Sequence, residues 1–239
     1  MKKTILFLAL FSFTISNAQN FKKIKGNGVE TTITRTTPDY DNISIGGSFE
    51  VKLIAGKEGT ISVTGDENLL EYIKTDVANG TLSINFERGK NIQYDYRNSI
   101  EITIPIEKIN KLELSGSGII TTSDAITTDN LDIAASGSGS IKLDTTTTNL
   151  KISRTGSGSV TVKGVAQNLE ITSQGSGSTN AFDLISENVT ASQSGSGSVR
   201  VNCTKNLVAN QAGSGSISYK GKPEKVQKNS AGSGSITRI

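Results

Sequence analysis

Along most of this chain, apolar and polar side chains alternate one by one. From Tyr40 onward the sets Ile43/Ile45, Phe49/Val51/Leu53, Ile61/Val63, Leu82/Ile84/Phe86 and Ile100/Ile102/Ile104 all follow a spacing of two. That spacing, with so many β-branched residues, predicts strands with one buried face. Gly46-Gly47, Lys57-Glu58-Gly59 and Asn79-Gly80 separate them as turns. Residues 67–74 are the one candidate helix: Asp66 is a fair N-cap, and Leu69, Leu70 and Ile73 fall on one side. Pro105 ends a strand before Leu112/Leu114 begins the next stretch.

Beyond residue 110 the alternation becomes periodic. Gly-Ser-Gly occurs seven times, at Gly116/Gly118, Gly137/Gly139, Gly156/Gly158, Gly175/Gly177, Gly195/Gly197, Gly213/Gly215 and Gly232/Gly234. Successive first glycines are 21, 19, 19, 20, 18 and 19 residues apart. A fixed period near 20 residues marks a solenoid, whose coils bury their apolar faces only by stacking. Seven residues before the first glycine stands an asparagine in five repeats: Asn130, Asn149, Asn168, Asn188 and Asn206. Alternating apolar pairs follow, such as Leu131/Ile133, Leu150/Ile152 and Leu169/Ile171, and alternation resumes after the glycines at Ile141/Leu143, Val160/Val162, Val199/Val201 and Ile217/Tyr219. The predicted fold is all-β, a parallel β-helix with coils of about 19 residues.

Stacking at about 4.8 Å sets equivalent residues in columns. The glycines then form a corner where the backbone needs positive φ or where a side chain would strike the next coil. The serines between them stack close enough to hydrogen-bond, and the asparagines form a second column at the opposite turn. These are structural roles. Residues 19–37 read as a polar lead-in with a possible first strand. Residues 38–239 read as one β-helix domain, with 38–110 as less regular coils closing its N-terminal end and 111–239 as the regular repeats; a separate small β domain over 38–110 is the alternative.

The stretches "GSFEVKLIAG", "GDENLLEYIKTDVANGTLSI", "IEITIPIEKINKLELSGSG" and the "NLxI…GSGS" repeats together resemble the bacterial putative auto-transporter adhesin family with the head GIN domain. The resemblance runs from about residue 40 to the end. It implies a pectin-lyase-like parallel β-helix and a role in adhesion, and it carries no catalytic residues over to this chain.

Composition narrows the chemistry. Residues 1–18 read as a secretory signal, with Lys2 and Lys3, an apolar stretch from Ile5 to Ile15, and a small-residue cleavage site at Ser16-Asn17-Ala18. Without those two lysines the balance is 23 basic to 22 acidic residues, which removes the case for nucleic-acid binding. No later stretch is long and apolar enough to span a bilayer as a helix. The expected compartment is the periplasm, the outer-membrane surface or the extracellular space. Cys203 is the one cysteine; at strand spacing from Val201 it reads as a buried, inert thiol.

Histidine is absent, which excludes histidine-activated nucleophiles and the commonest metal ligand. Glycosidases need two facing carboxylates and calcium-dependent lyases a carboxylate cluster. The repeat acids hold no common register, apart from Asp132 and Glu170 two coils apart. Calcium-binding solenoids carry an aspartate in every glycine-rich turn; here that place is Ser, Ile or Val. The expectation is therefore a protein that is not an enzyme, without cofactor or metal. The threonines Thr145–Thr148 read as a solvated turn. Tyr94, Asp95, Tyr96 and Arg97 are the candidate ligand patch, two aromatics with both charge signs, suited to a sugar ring. Lys142, Thr161, Asn180, Arg200 and Ser218 are the expected outward stripe. Two functions stand: binding of a surface glycan or envelope protein, or a structural envelope scaffold that self-associates through its C-terminal coil, residues 226–239.

Overall fold

The computed structural model describes residues 23–93 and 99–239. Its body is a parallel β-solenoid. The strands Ile126–Gly137, Ser140–Gly156, Ser159–Gln174, Ser178–Gly195 and Ser198–Gly213 each trace most of a coil and pair in parallel with the next. Register follows the sequence period, so that Leu131, Leu150, Leu169, Val189 and Leu207 form one column and Ile133, Ile152, Ile171, Ala191 and Ala209 another. All ten are buried, giving one continuous core along the axis.

Each coil has a third side that the apolar pattern does not reveal. Thr145 and Thr147 are buried, while Thr146 and Thr148 face outward. The threonine run is therefore not a solvated turn but a short strand with an inward polar face. Its burial is tolerated because the hydroxyls are paired: Thr145 Oγ1 donates to the Ile126 carbonyl at 2.8 Å and Thr147 Oγ1 to that of Asp129 at 3.1 Å.

The N-terminal end is built differently. Asn42–Gly47 lies in parallel beside Lys111–Gly116, and Glu50–Ala55 beside Ile119–Thr122, so residues 42–55 form one more coil of the stack. Beneath it, Thr81–Phe86 and Glu101–Ile106 run parallel to that coil. Three further strands run antiparallel: Ile73–Ala78 on Thr81–Phe86, Thr60–Asp66 on Glu101–Ile106, and Glu30–Thr36 on Thr60–Asp66.

Residues 67–74 split between two elements. The helix is one turn, Glu67–Leu70, and a strand starts at Ile73. Leu69, Leu70 and Ile73 are nonetheless all buried, so they close the core's end as a helical stripe would. Arg35 secures the junction: its guanidinium donates to the carbonyls of Ile73 and, at 2.7 Å, Leu70. A cation on the last carbonyls of a helix is favourable there.

Candidate functional site

Two columns shape the surface, and each follows from local chemistry. The corner glycines are not one kind of residue, as their shared motif suggests, but two. The first of each pair is left-handed: Gly137, Gly156 and Gly175 have φ of +101°, +107° and +98°, a region that residues with a Cβ avoid. The second glycines, Gly118, Gly139, Gly158, Gly177, Gly197, Gly215 and Gly234, do not take positive φ. Their constraint is the neighbouring coil alone. A Cβ on Gly139 would lie 2.6 Å from the Gly118 carbonyl oxygen. On Gly158, Gly177, Gly197, Gly215 and Gly234 it would press closer still on the carbonyl oxygens of Gly139, Gly158, Gly177, Gly197 and Gly215 in turn. Side chains add to the crowding: Leu114 beside Gly139, the Arg154 guanidinium beside Gly177 and Gly197, Gln193 beside Gly215 and the Gln211 amide beside Gly234. Gly177, Gly197 and Gly215 are buried, while Gly234, in the last coil, is only partly covered.

The coils are also bonded at this corner. The Gly137 carbonyl accepts from Ser157 N at 3.0 Å and Gly158 N at 2.9 Å, and the same fork recurs from Gly116 to Ser138 and Gly139. Farther along, Gly177 N donates to the Gly156 carbonyl, Gly197 N to Gly175, Gly215 N to Gly195 and Gly234 N to Gly213. The intervening serines are exposed.

The column continues one coil below the first Gly-Ser-Gly. Gly47, with φ of +135°, pairs with Gly116, and its carbonyl accepts from Ser117 N and Gly118 N. Here Phe49, fully buried, stands in place of the second glycine. No period search finds this coil, because residues 56–110 intervene before the chain returns to it.

At the other bend the asparagines form a ladder. Asn149 donates to Asn130, Asn168 to Asn149 and Asn188 to Asn168, each at 2.9 Å, and Asn206 to Asn188 at 2.6 Å. Such chained amides polarise one another.

Between ladder and corner each coil presents one outer face, and two depressions lie on it. One, about 470 Å³, follows the ladder and includes Asp132, Lys151, Glu170 and Thr190. The other, about 360 Å³, lies toward the corner and crosses four coils, past Thr172, Ser192, Asn210 and Asn229. Both touch the coils of Asn168 and Asn188. Polar side chains on this face bond along the axis: Asn229 donates to Asn210 at 2.8 Å and Asn210 to Ser192 at 3.3 Å. Asp132 and Glu170 are separated by Lys151 in register, so this column alternates in charge and does not set two carboxylates side by side. Among the described residues there is no cluster of three or more side chains able to hold a metal.

Behind this face, next to the corner, runs an inward column of Ala135, Arg154, Ser173, Gln193 and Gln211. Arg154 is 1% exposed. Its Nη1 donates to the carbonyls of Gly156 at 2.7 Å and Gln174 at 3.3 Å, while Nε and Nη2 have no protein partner. Burial pushes its pKa down, with no acid beside it to oppose the shift. Above it, Ser173 and Thr179 bond hydroxyl to hydroxyl at 2.7 Å.

The other expected residues fall as follows. Tyr94, Asp95, Tyr96 and Arg97 lie outside the described residues, as does the leader segment 1–18. Lys142, Thr161, Asn180, Arg200 and Ser218 share one column on the face after the corner. Cys203 is buried, its thiol donating to the Asn206 carbonyl at 3.2 Å, and desolvation raises its pKa. No helix among the described residues is long and apolar enough to cross a membrane.

A family model described as "Putative auto-transporter adhesin, head GIN domain" matches residues 39–223. The chain belongs to this family. Solved structures agree with the fold. A putative adhesin from Bacteroides fragilis superposes with a TM-score of 0.85 at 27% identity, over 90% of this chain and 100% of that one. A protein from Parabacteroides distasonis described as a putative lipid binding protein gives 0.74 at 31% identity, over 91% and 100%. A putative adhesin from the same organism gives 0.70 at 24% identity, over 91% and 100%. No curated protein is similar to the chain.

Proposed function

We propose that this protein is an exported, non-catalytic binding module of the cell envelope, which holds an extended glycan on the face between the asparagine ladder and the glycine corner. The observation that carries the reading is the pair of depressions on that face, side by side over the coils of Asn168 and Asn188, which together form a channel whose walls repeat every coil. A surface that repeats at about 4.8 Å suits a polymer laid along the axis better than a compact small molecule. The hydroxyl and amide groups along it can hydrogen-bond to the hydroxyls of such a polymer, and the exposed carbon between them can pack against its sugar rings. Membership of the adhesin-head family and the leader-like first 18 residues support export. The absence of histidine and the alternating charge of the Asp132–Lys151–Glu170 column support binding without chemistry.

Two measurements test this. Antibody labelling and protease shaving of intact cells should reach the protein; protection until the outer membrane is broken would contradict surface binding. A panel of neutral glycans should then yield a ligand whose affinity falls at least tenfold in Thr172→Trp, which fills the channel. A ligand indifferent to Thr172→Trp would remove the channel from the account.

A further inference from the structure

The most regular part of the chain contains one coil that departs from its neighbours on the outside. Gly175 and Gly195 are 20 residues apart, one more than the coil before. The extra residue appears as register shifts on both sides of the strand, between Thr161 and Gly164 below and between Ala181 and Ile185 above. Bulges of this kind re-aim a side chain, and the residue re-aimed is Phe182, the sole aromatic between residues 111 and 218. It stays partly exposed. The Arg200 guanidinium carbon lies 5.6 Å from its ring centroid and the Lys220 ammonium 5.4 Å. The three residues belong to successive coils, so Lys220 reaches back across the intervening one.

We propose that Phe182, Arg200 and Lys220 form a recognition site for the acidic group of a glycan, a carboxylate or a sulfate. The ring lies within cation–π range of the guanidinium, an attraction that lowers the cost of ordering a long side chain when a ligand binds. Arg200 forms no ion pair with any described carboxylate, so its fork is free for bidentate recognition of a planar anion. Lys220 has one partner, Asp183 at 3.5 Å, whose side chain is 77% exposed. An exposed pair of that kind is weak and yields to a competing anion. The cluster therefore holds two cations against one carboxylate. Asp183 and the neighbouring Asn202 supply acceptors and donors for the hydroxyls beside the acidic group. The site lies around the corner from the channel and rests on the proposed function only in taking the protein to meet extracellular polymers.

The test uses purified protein and titrates polygalacturonate, dextran sulfate, neutral dextran and phosphatidylglycerol vesicles. Binding to either acidic polymer, weakened by salt, with none to dextran, is the expected result; which polymer binds tells carboxylate from sulfate. Arg200→Gln should weaken it about tenfold, as loss of a charge-assisted fork does, and Phe182→Ala several-fold. Lys142→Gln, in the same outward column two coils below Asn180, should leave it unchanged. Arg200→Lys keeps the charge without the fork and should fall between, which secures the test should Arg200→Gln fold poorly. Equal binding by wild type and both Arg200 variants, equal losses in Lys142→Gln and Arg200→Gln, or binding confined to vesicles would each overturn the site. The channel is probed with neutral glycans and Thr172→Trp, so the two readings fail separately.

Discussion

The repeating coils and the N-terminal end solve the same problem, burying a strip of alternating apolar residues, by different means. In the repeats, sheet pairing links each residue to one about 19 positions away, and the core, corner and ladder positions are columns of like residues. At the N-terminal end, the strands between residues 30 and 106 pair in both directions, and the core is closed by a helical turn and by Arg35 on exposed carbonyls. The contrast locates the constraint. A column repeats its steric limits in every coil, whereas a mixed sheet spreads them over unlike neighbours.

Glycine substitutions should break that contrast open most widely. Gly158 packs its Cα against the Gly139 carbonyl, and a methyl there meets backbone that cannot step aside. Gly158→Ala is expected to cost more than about 3 kcal/mol by urea unfolding, the range of severe overpacking. At the N-terminal end Gly89 has φ of +80° but only open space where a Cβ would sit. Gly89→Ala should cost only the left-handed backbone penalty, about 1–2 kcal/mol. Equal losses would mean that stacking, as distinct from φ, does not govern the corner.

Alkaline pH should sharpen it from the other side. Tyr40, at the N-terminal end, donates its hydroxyl to the Pro105 carbonyl at 2.6 Å, and burial together with Glu58 raises its pKa well above the ordinary 10.0. The folded protein keeps this proton where the unfolded chain releases it. The contribution is whole below pH 10 and declines above it, by at most about 1.4 kcal/mol per pH unit for one proton. Tyr40→Phe should flatten the fall in stability measured between pH 10 and 11.

Within the repeats, Arg154→Met removes a buried cation that two carbonyls only partly satisfy. A stability gain of about 1 kcal/mol is expected, since an uncompensated buried charge costs more than its packing returns. The smallest effect belongs to the ladder. Asn168 both donates to Asn149 and accepts from Asn188, while Asn130 makes one ladder bond. Asn168→Ala should lose about 1 kcal/mol and Asn130→Ala about half that, because hydrogen bonds near solvent contribute little. A larger loss at Asn130 would show that the bonds are not shared along the column.

What the sequence made legible follows the same divide. Period, corner and asparagine column were readable because one physical rule recurs in each coil and leaves one residue type at each place. That identity also concealed something. The two glycines of each motif look alike, yet φ and steric contact together constrain Gly175, and steric contact alone constrains Gly177. The coil of Gly47 and Phe49 was hidden by the 69 positions that separate Gly47 from its partner Gly116. Arg154 and Thr145 were misleading for another reason: polarity predicts exposure, and both are buried where backbone carbonyls accept their protons. The channel needs the third dimension, since its lining comes from many coils. Phe182 did leave a signal, an aromatic in the one coil of 20 residues, but composition alone does not say that Arg200 and Lys220 converge on it.

The fold rests on the Gly-Ser-Gly corner being a hydrogen-bonded spine and not a loop, although its serines face solvent. Native-state hydrogen exchange measures this directly on the amides of Ser138, Gly139, Ser157 and Gly158, which all donate to a glycine carbonyl of the preceding coil. Their protection should match that of Ile133 and Ile152 in the flanking strands, with fast exchange at the Gly89 turn. Corner amides exchanging as fast as that turn would contradict a bonded spine.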